Sequence, residues 1–395
     1  MRDKLVNEKF WEISANNWGT AEYAALQRVI DSDRFTMGPE TKAFESEFAD
    51  YCGRKHAIMV NSGSSANLLS VAALTHKSLK PLNSGDEIIV PAVGWATTYH
   101  PLHQYGLSIR VVDCDPETLN MDVNQLETAL TPNTRGLMSV SILGNPCDLE
   151  RMRQFCDTHD LYFIEDNCES LDAEIRGVKT GCFGDLATAS FFFSHHISTM
   201  EGGMITTNDD ELAQICRSLR AHGWTRDLPS SNLVSEPNTD DFFEAYRFVL
   251  PGYNLRPLEL SAAVGREQLK RLPEMTKTRR KNMKVFQDCF SSDNRFRIQK
   301  EHGKSSSFCF TMIVEESSGL DRREVLKVLD DADIGYRIIT GGCVTRHDVA
   351  AKYQISAIND LPYANEVHDR GFFVGNYPMN LSEKILKLYS ILSRL

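Results

Sequence analysis

The chain has no apolar run near the eighteen or so residues that cross a membrane, and its start, "MRDKLVNEKFWEISANNW", lacks the apolar core of a signal peptide. A cytoplasmic protein is expected. Positive charge is also short: 43 Lys and Arg stand against 54 Asp and Glu, a net charge of -11, so no basic stripe exists to displace counterions from a nucleic-acid backbone. That balance still permits a small anionic ligand. The ten cysteines include no CxxC pair and no short-spaced group of four, which argues for reduced, buried thiols and against a structural metal or iron–sulfur site. The last shortage is local. "SFFFSHHISTMEGGMITTND", Ser190 to Asp209, contains two adjacent histidines and no lysine.

What is present suits one large or two moderate globular domains, since 395 residues with 42% hydrophobic content can bury a sizeable core. Short apolar runs such as "HAIMV", "DEIIVPA", "IRVVDC", "RGLMSVSIL", "LYFIED", "TASFFF" and "GGMITTN" alternate with stretches of helical period, among them "SSANLLSVAALTH", "VNQLETALT" and "LERMRQFCDTH". Strands that are apolar throughout, with helices between them, imply a mainly parallel sheet covered on both faces, an α/β fold over roughly residues 50–210. From Arg226, "RDLPSSNLVSEPNTDDF" reads as a long loop of the kind that often carries function. "PGYNLRPLELSAAVGREQLKRLPEMTKTRRKNM" reads as a turn into a long basic helix, after which a smaller α+β region is expected.

Four stretches place chemistry on this scaffold. In "VNSGSSANLL", Gly63, Ser64 and Ser65 lie between a strand and a helix, where free backbone N–H groups and the helix dipole favour an anion such as phosphate. A plain N-cap at Ser64 or Ser65 explains the stretch equally well. Glu165 and Asp166 end the strand in "FIEDNCES", where open α/β sheets hold ligand-binding groups, although acidic side chains at strand ends are commonly solvated. Trp95 in "PAVGWATT" offers a flat face to an aromatic ligand, with burial in the core as the alternative. Ser190 and His195 bracket another strand end, ahead of "EGG", Glu201 to Gly203, whose glycines permit a tight turn.

In this order, and with "DRFTMGPETKAFESEFADYCG" and "GYNLRPLELSAA" on either side, these segments resemble the family of sugar aminotransferases and dehydratases that use pyridoxal phosphate. The resemblance spans nearly the whole chain. It implies the fold-type I aminotransferase scaffold: residues 1–30 as an N-terminal arm, 31–260 as a large cofactor-binding domain around a mainly parallel seven-stranded sheet, and 261–395 as a small C-terminal α+β domain. It further implies that Gly63, Ser64 and Ser190 bind the cofactor phosphate, that Trp95 stacks on the cofactor ring and that Asp166 pairs with the pyridine nitrogen. Glu169 takes the place beside the ring where relatives have Gln or His. Asn254 resembles an asparagine that reaches the phosphate from a second subunit, which implies a homodimer with shared active sites. Met37 and Gly38 in "FTMGPE", His222 and Arg226 in "HGWTRD", Arg256 and Arg337 are further candidates for the sugar or its anionic groups. An ordinary turn and solvated arginines explain those positions as well.

The departure from the family pattern falls on the missing lysine. Aligning "EGG" puts His195 where the aminotransferases keep the lysine that holds the cofactor covalently, and His196 on the neighbouring asparagine. An imidazole cannot anchor the cofactor covalently, yet it moves protons near neutral pH. The resemblance then implies deoxygenation, with pyridoxal and pyridoxamine phosphate bound noncovalently and His195 as the catalytic proton carrier that, once protonated, assists the departing hydroxyl. The substrate would be a nucleotide-linked 4-keto-6-deoxyhexose that loses its C3 hydroxyl, GDP-linked by resemblance alone, with L-glutamate restoring the amine and ammonia released. One deoxygenating branch of the family passes electrons through an iron–sulfur cluster to a reductase and carries close cysteines after the histidine loop. Here the interval between Cys216 and Cys289 is empty of cysteine, which favours a branch with neither cluster nor reductase. A conventional aminotransferase, for which Lys179 lies too far along the chain, and an inactive cofactor-binding scaffold remain as alternatives.

Overall fold

The structure, a computed structural model, describes residues 9–395; residues 1–8 of the expected arm lie outside the described residues. The apolar runs become β1 (His56–Val60), β2 (Glu87–Pro91), β3 (Ser108–Val112), β4 (Thr134–Val140) and β5 (Tyr162–Asp166), then the hairpin β6 (Glu174–Ile175) and β7 (Val178–Lys179), then β8 (Leu186–Ser190) and β9 (Gly203–Thr207). β10 (Phe296–Ile298), β11 (Cys309–Val314), β12 (Tyr336–Arg337), β13 (Ile355–Ala357) and β14 (Gly371–Gly375) follow. The first helices are α1 (Thr20–Asp31), α2 (Pro39–Cys52), α3 (Gly63–Thr75) and α4 (Ala96–Gln104).

The large sheet runs in the order β1-β9-β8-β5-β4-β2-β3-β13. Its pairings from β8 to β13 are parallel, and β9 is antiparallel to both β1 and β8. Every residue of β2, β8 and β9 is buried, as a sheet with helices on both faces requires. The expected seven strands are thus eight, because β13, from the C-terminal part of the chain, pairs with β3 at the sheet edge. Its three residues, "ISA", carry no apolar run that could announce a strand. A second, antiparallel sheet has the order β10-β11-β14-β12.

Local chemistry explains the helices. Asp148 caps Leu149–His159 by accepting the Arg151 N–H at 3.3 Å, and Leu149, Met152, Phe155 and Cys156 bury its inner face at helical spacing. "VNQLETALT" forms only a 3-10 turn and the short helix Leu126–Ala129, since Pro132 forbids its continuation. The long helix Glu259–Phe290 has 32 residues and is about 48 Å long. Near its start Ala262 and Leu269 pack in a cluster with Phe44, Phe48 and Phe191 against the large sheet; at its end Phe286 and Phe290 join Trp11, Phe310 and Phe372 in the core of the second sheet. No helix among the described residues is long and apolar enough to cross a membrane.

Candidate active site

β1, β2, β4, β5 and β8 point the same way, so their C-terminal ends meet at one edge of the large sheet, and the segments leaving them line a cavity of about 660 Å³. Phe308, Arg337 and Thr340 close it from the side of the second sheet, and Ile13, ahead of α1, forms another wall. Gly63, Ser64, Trp95, Asp166, Glu169, Ser190, His195 and Arg337 all line this cavity.

The turn from β1 into α3 forms an anion cradle. Ser62, rather than Ser64 or Ser65, caps α3: its Oγ accepts the Ser65 N–H at 3.1 Å. Three serines within four positions cannot be told apart by pattern, and the outcome leaves Ser64 on the cavity wall, with its hydroxyl 3.2 Å from Thr97 Oγ1. Glycine is required here by close approach. A Cβ on Gly63 would lie 2.4 Å from Ser190 Cβ, and one on Gly203 would lie 2.3 Å from the Ser62 carbonyl oxygen. The expected tight turn at "EGG" is made differently, since the positive φ in that loop belongs to Met200, at 70°.

Strand alternation separates the two adjacent acids at the end of β5. Asp166 faces the cavity, where its Oδ2 accepts from Asn67 Nδ2 at 2.7 Å and from Thr98 Oγ1 at 2.9 Å. Thr188, paired with Asp166 across the β5/β8 ladder, donates to Asn67 Oδ1 at 2.7 Å and so fixes which end of that amide meets the carboxylate. Glu165 accepts from the Gly181 and Phe183 N–H groups at 2.7 and 2.6 Å and holds the loop before β8. Trp95 is not a core residue: it is 57% exposed at the mouth of α4 and presents its ring to the cavity.

Two proton-holding groups share the cavity. Glu169 Oε2 accepts from the Leu143 N–H at 3.0 Å and from Thr340 Oγ1 at 3.3 Å. Burial raises its carboxyl to about 7, with the nearby Asp166 charge acting in the same direction and those two donors acting against it. His195, on the loop between β8 and β9, packs edge-on against Phe192 and Phe308, with ring centroids at 6.1 and 5.3 Å, and its Nδ1 is buried without a hydrogen-bond partner. Burial lowers its imidazole to about 4; the backbone carbonyls of Cys168 and Ser190 oppose the shift and Arg279 reinforces it. The resting imidazole is neutral, as a base must be.

Other expected residues lie elsewhere on this chain. Met37, Gly38 and Arg226 line a separate groove of about 620 Å³. Gly38 serves a turn there: Glu259, at the start of the long helix, accepts its N–H at 2.7 Å and the Thr41 N–H and hydroxyl at 3.2 and 2.7 Å, capping α2. Asn254, itself exposed, bridges the buried Ala221, Arg256 donates to Asn254 Oδ1 at 3.0 Å, and His222 lies at a positive φ of 63° beside Trp224. None of these enters the cavity of its own chain. Lys179 is tied to Asp172 at 2.5 Å and lies 3.9 Å over the Tyr51 ring, also outside the cavity. Sequence reasoning missed Asn67, Thr98 and Thr188 around Asp166, and Phe308 and Thr340 from beyond residue 300. The only signal was the polar Asn67 within the otherwise apolar "ANLLSVAAL".

Residues 17–392 match the DegT/DnrJ/EryC1/StrS aminotransferase family, and the chain belongs to that family. It is 44% identical over 396 residues, covering 100% of both chains, to the GDP-4-keto-6-deoxy-D-mannose 3-dehydratase of Yersinia pseudotuberculosis. Among solved structures it is similar to the E. coli GDP-4-keto-6-deoxy-D-mannose-3-dehydratase with bound hydrated PLP, with TM-score 0.95, 43% identity, and coverage of 97% of this chain and 99% of that one. A GDP-4-keto-6-deoxymannose-3-dehydratase with a trapped PLP-glutamate geminal diamine matches with TM-score 0.94, 43% identity and coverage of 97% and 100%.

Proposed function

We propose that this chain is a pyridoxal/pyridoxamine-phosphate-dependent 3-dehydratase that converts GDP-4-keto-6-deoxymannose to its 4-keto-3,6-dideoxy counterpart, with L-glutamate restoring the cofactor amine and ammonia released. One observation carries the reading: a cavity with an anion cradle, an exposed tryptophan and a fixed carboxylate is lined by an imidazole and, among its described residues, by no lysine. The full-length relative that removes a C3 hydroxyl from a GDP-linked sugar, and the glutamate trapped in a similar structure, support it.

The residues present fit the cofactor, and the Nδ1 atom of His195, buried on the cavity wall, has no hydrogen-bond partner within the chain. Bound there, the cofactor would supply an amine for a keto group and a ring able to store an electron pair. The backbone N–H groups at the start of α3, with Ser64 and Ser190, would bind its phosphate. Trp95 would cover a ring face and exclude water from it. Asp166, locked by Asn67 and Thr98, would offer its carboxylate to the ring nitrogen. His195 accepts a proton at an imidazole nitrogen and, once protonated, donates it to the departing hydroxyl, which leaves as water. Glu169 holds a proton beside them, and Arg337 meets an anionic group of the substrate.

Phe242, Phe243, Tyr246 and Phe248 are all more than half exposed, and Asn254 and Arg226 lie outside the cavity of their own chain. Both observations fit a homodimer in which each copy completes the other's site.

Incubation with pyridoxal phosphate, glutamate and GDP-4-keto-6-deoxymannose, without a reductase, tests the reading. Loss of one oxygen from the sugar nucleotide with equimolar ammonia and 2-oxoglutarate is expected; an accumulating amino sugar would overturn it in favour of transamination.

A further inference from the structure

The segment ahead of α1 crosses the site. Trp11 is fully buried and donates its indole N–H to the Gly375 carbonyl of the second sheet at 2.9 Å. Ile13 then lines the cavity, and Trp18 donates its indole N–H to the Ser198 carbonyl at 2.9 Å. Ser198 lies three residues beyond His195 in the same loop. Its own N–H donates to Gln268 Oε1 at 3.3 Å, so both backbone polar groups of Ser198 are held from outside the loop. Gln268, fully buried on the long helix, is itself fixed: its Nε2 donates to Glu22 Oε1 at 2.5 Å. The Glu22 carboxylate, with no exposure, also accepts from the Gly19 N–H at 2.8 Å and Arg271 at 2.5 Å. Because the amide nitrogen must face that carboxylate, the amide oxygen must face Ser198. On the opposite side of the loop, His196 Nε2 meets the Ser306 carbonyl at 3.3 Å.

We propose that Trp18, Gln268 and Glu22 form a clamp that positions His195 for proton transfer, making the arm part of the site's machinery. The clamp rests on the reading of His195 as the proton carrier. Proton transfer needs heavy atoms within hydrogen-bond reach, and a misplacement near 1 Å costs roughly a hundredfold in rate. A loop bearing the proton carrier therefore has to be held, and here the arm and the long helix hold it.

Trp18→Phe, which keeps an aromatic ring beside Tyr23 and deletes the N–H, and Gln268→Met, which keeps the volume and deletes the acceptor, test the clamp. Two readouts use the protein without cofactor: amide hydrogen exchange and the NMR titration of His195. In both variants exchange at Phe192–Met200 rises about tenfold or more while the large sheet keeps its protection, and the His195 titration moves up from about 4 toward its ordinary range. In the loaded enzyme, turnover in the glutamate half-reaction falls about three- to tenfold with KM for glutamate unchanged. Native exchange and titration in both variants would overturn the clamp, as would exchange that rises equally across the sheet. Neither of those readouts involves the sugar, so the clamp and the substrate assignment fail separately.

Discussion

Burial drives two titratable groups of the cavity in opposite directions, Glu169 up to about 7 and His195 down to about 4. Between pH 4.5 and 7 the folded state holds a Glu169 proton that the unfolded state has lost, so this group's contribution falls as pH rises. Between pH 4 and 6.5 the unfolded state holds a His195 proton that the folded state has lost, so that contribution rises with pH. In the native protein the two offset each other across the shared window. Glu169→Gln should therefore make stability climb more steeply from pH 5 to 6.5, by at most about 1.4 kcal/mol per pH unit relative to the native chain, and His195→Asn should tilt it the other way; urea melts at several pH values measure both slopes. Catalysis at this scale is as specific. His195→Asn should leave cofactor affinity within about threefold while turnover falls by about 10²–10⁴, whereas His195→Lys should retain the cofactor through dialysis and lose dehydration. A His195→Lys variant that still removed the C3 hydroxyl at the native rate would show that His195 is not the proton carrier.

Elements position these groups, and the sequence disclosed them unequally. The place of Trp95, Asp166, Ser190 and His195 on the cavity was legible because each ends or follows an apolar strand, and strand ends in an open α/β sheet are where ligands bind. Asn67, Thr98 and Thr188 were not, because their partnership with Asp166 depends on the register of β5 with β8 and on how α3 and α4 lie against those strands. Periodicity does not encode such contacts. The cap of α3 failed for a simpler reason, a run of serines with equal propensity. "GG" was noticed for flexibility, whereas Gly203 is needed for its lack of a side chain against the Ser62–Gly63 turn. Gly203→Ala should displace that turn, destabilise the fold by about 1–3 kcal/mol and weaken cofactor phosphate binding by about tenfold or more, as read by denaturant melts and fluorescence titration. A variant with native affinity would remove the cradle from the account.

For the whole molecule, the proposed sharing of site residues between two copies has a testable form. Asn254→Ala and His195→Asn should each be nearly inactive as a pure dimer, the first through lost phosphate contact and the second through lost proton transfer. In a re-equilibrated mixture, each hybrid dimer carries one site with both defects and one with neither, so activity should recover toward about a quarter of native. No recovery, in a sample shown by sedimentation to exchange subunits, would place Asn254 outside the partner's site.

β13 also has a consequence for how the chain is made. Its backbone covers the outer edge of β3: the Ile109 N–H donates to the Gln354 carbonyl at 2.7 Å, and the Ile358 N–H to the Val111 carbonyl at 3.2 Å. On the ribosome that edge has no partner until residues near 355 of 395 have emerged. A growing chain thus carries an otherwise assembled sheet with its β3 margin bare, the kind of edge on which strands of other chains add. Three residues with no strand signature of their own end that exposure, so stalled or truncated products lacking them should pass from folding intermediates to seeds of aggregation.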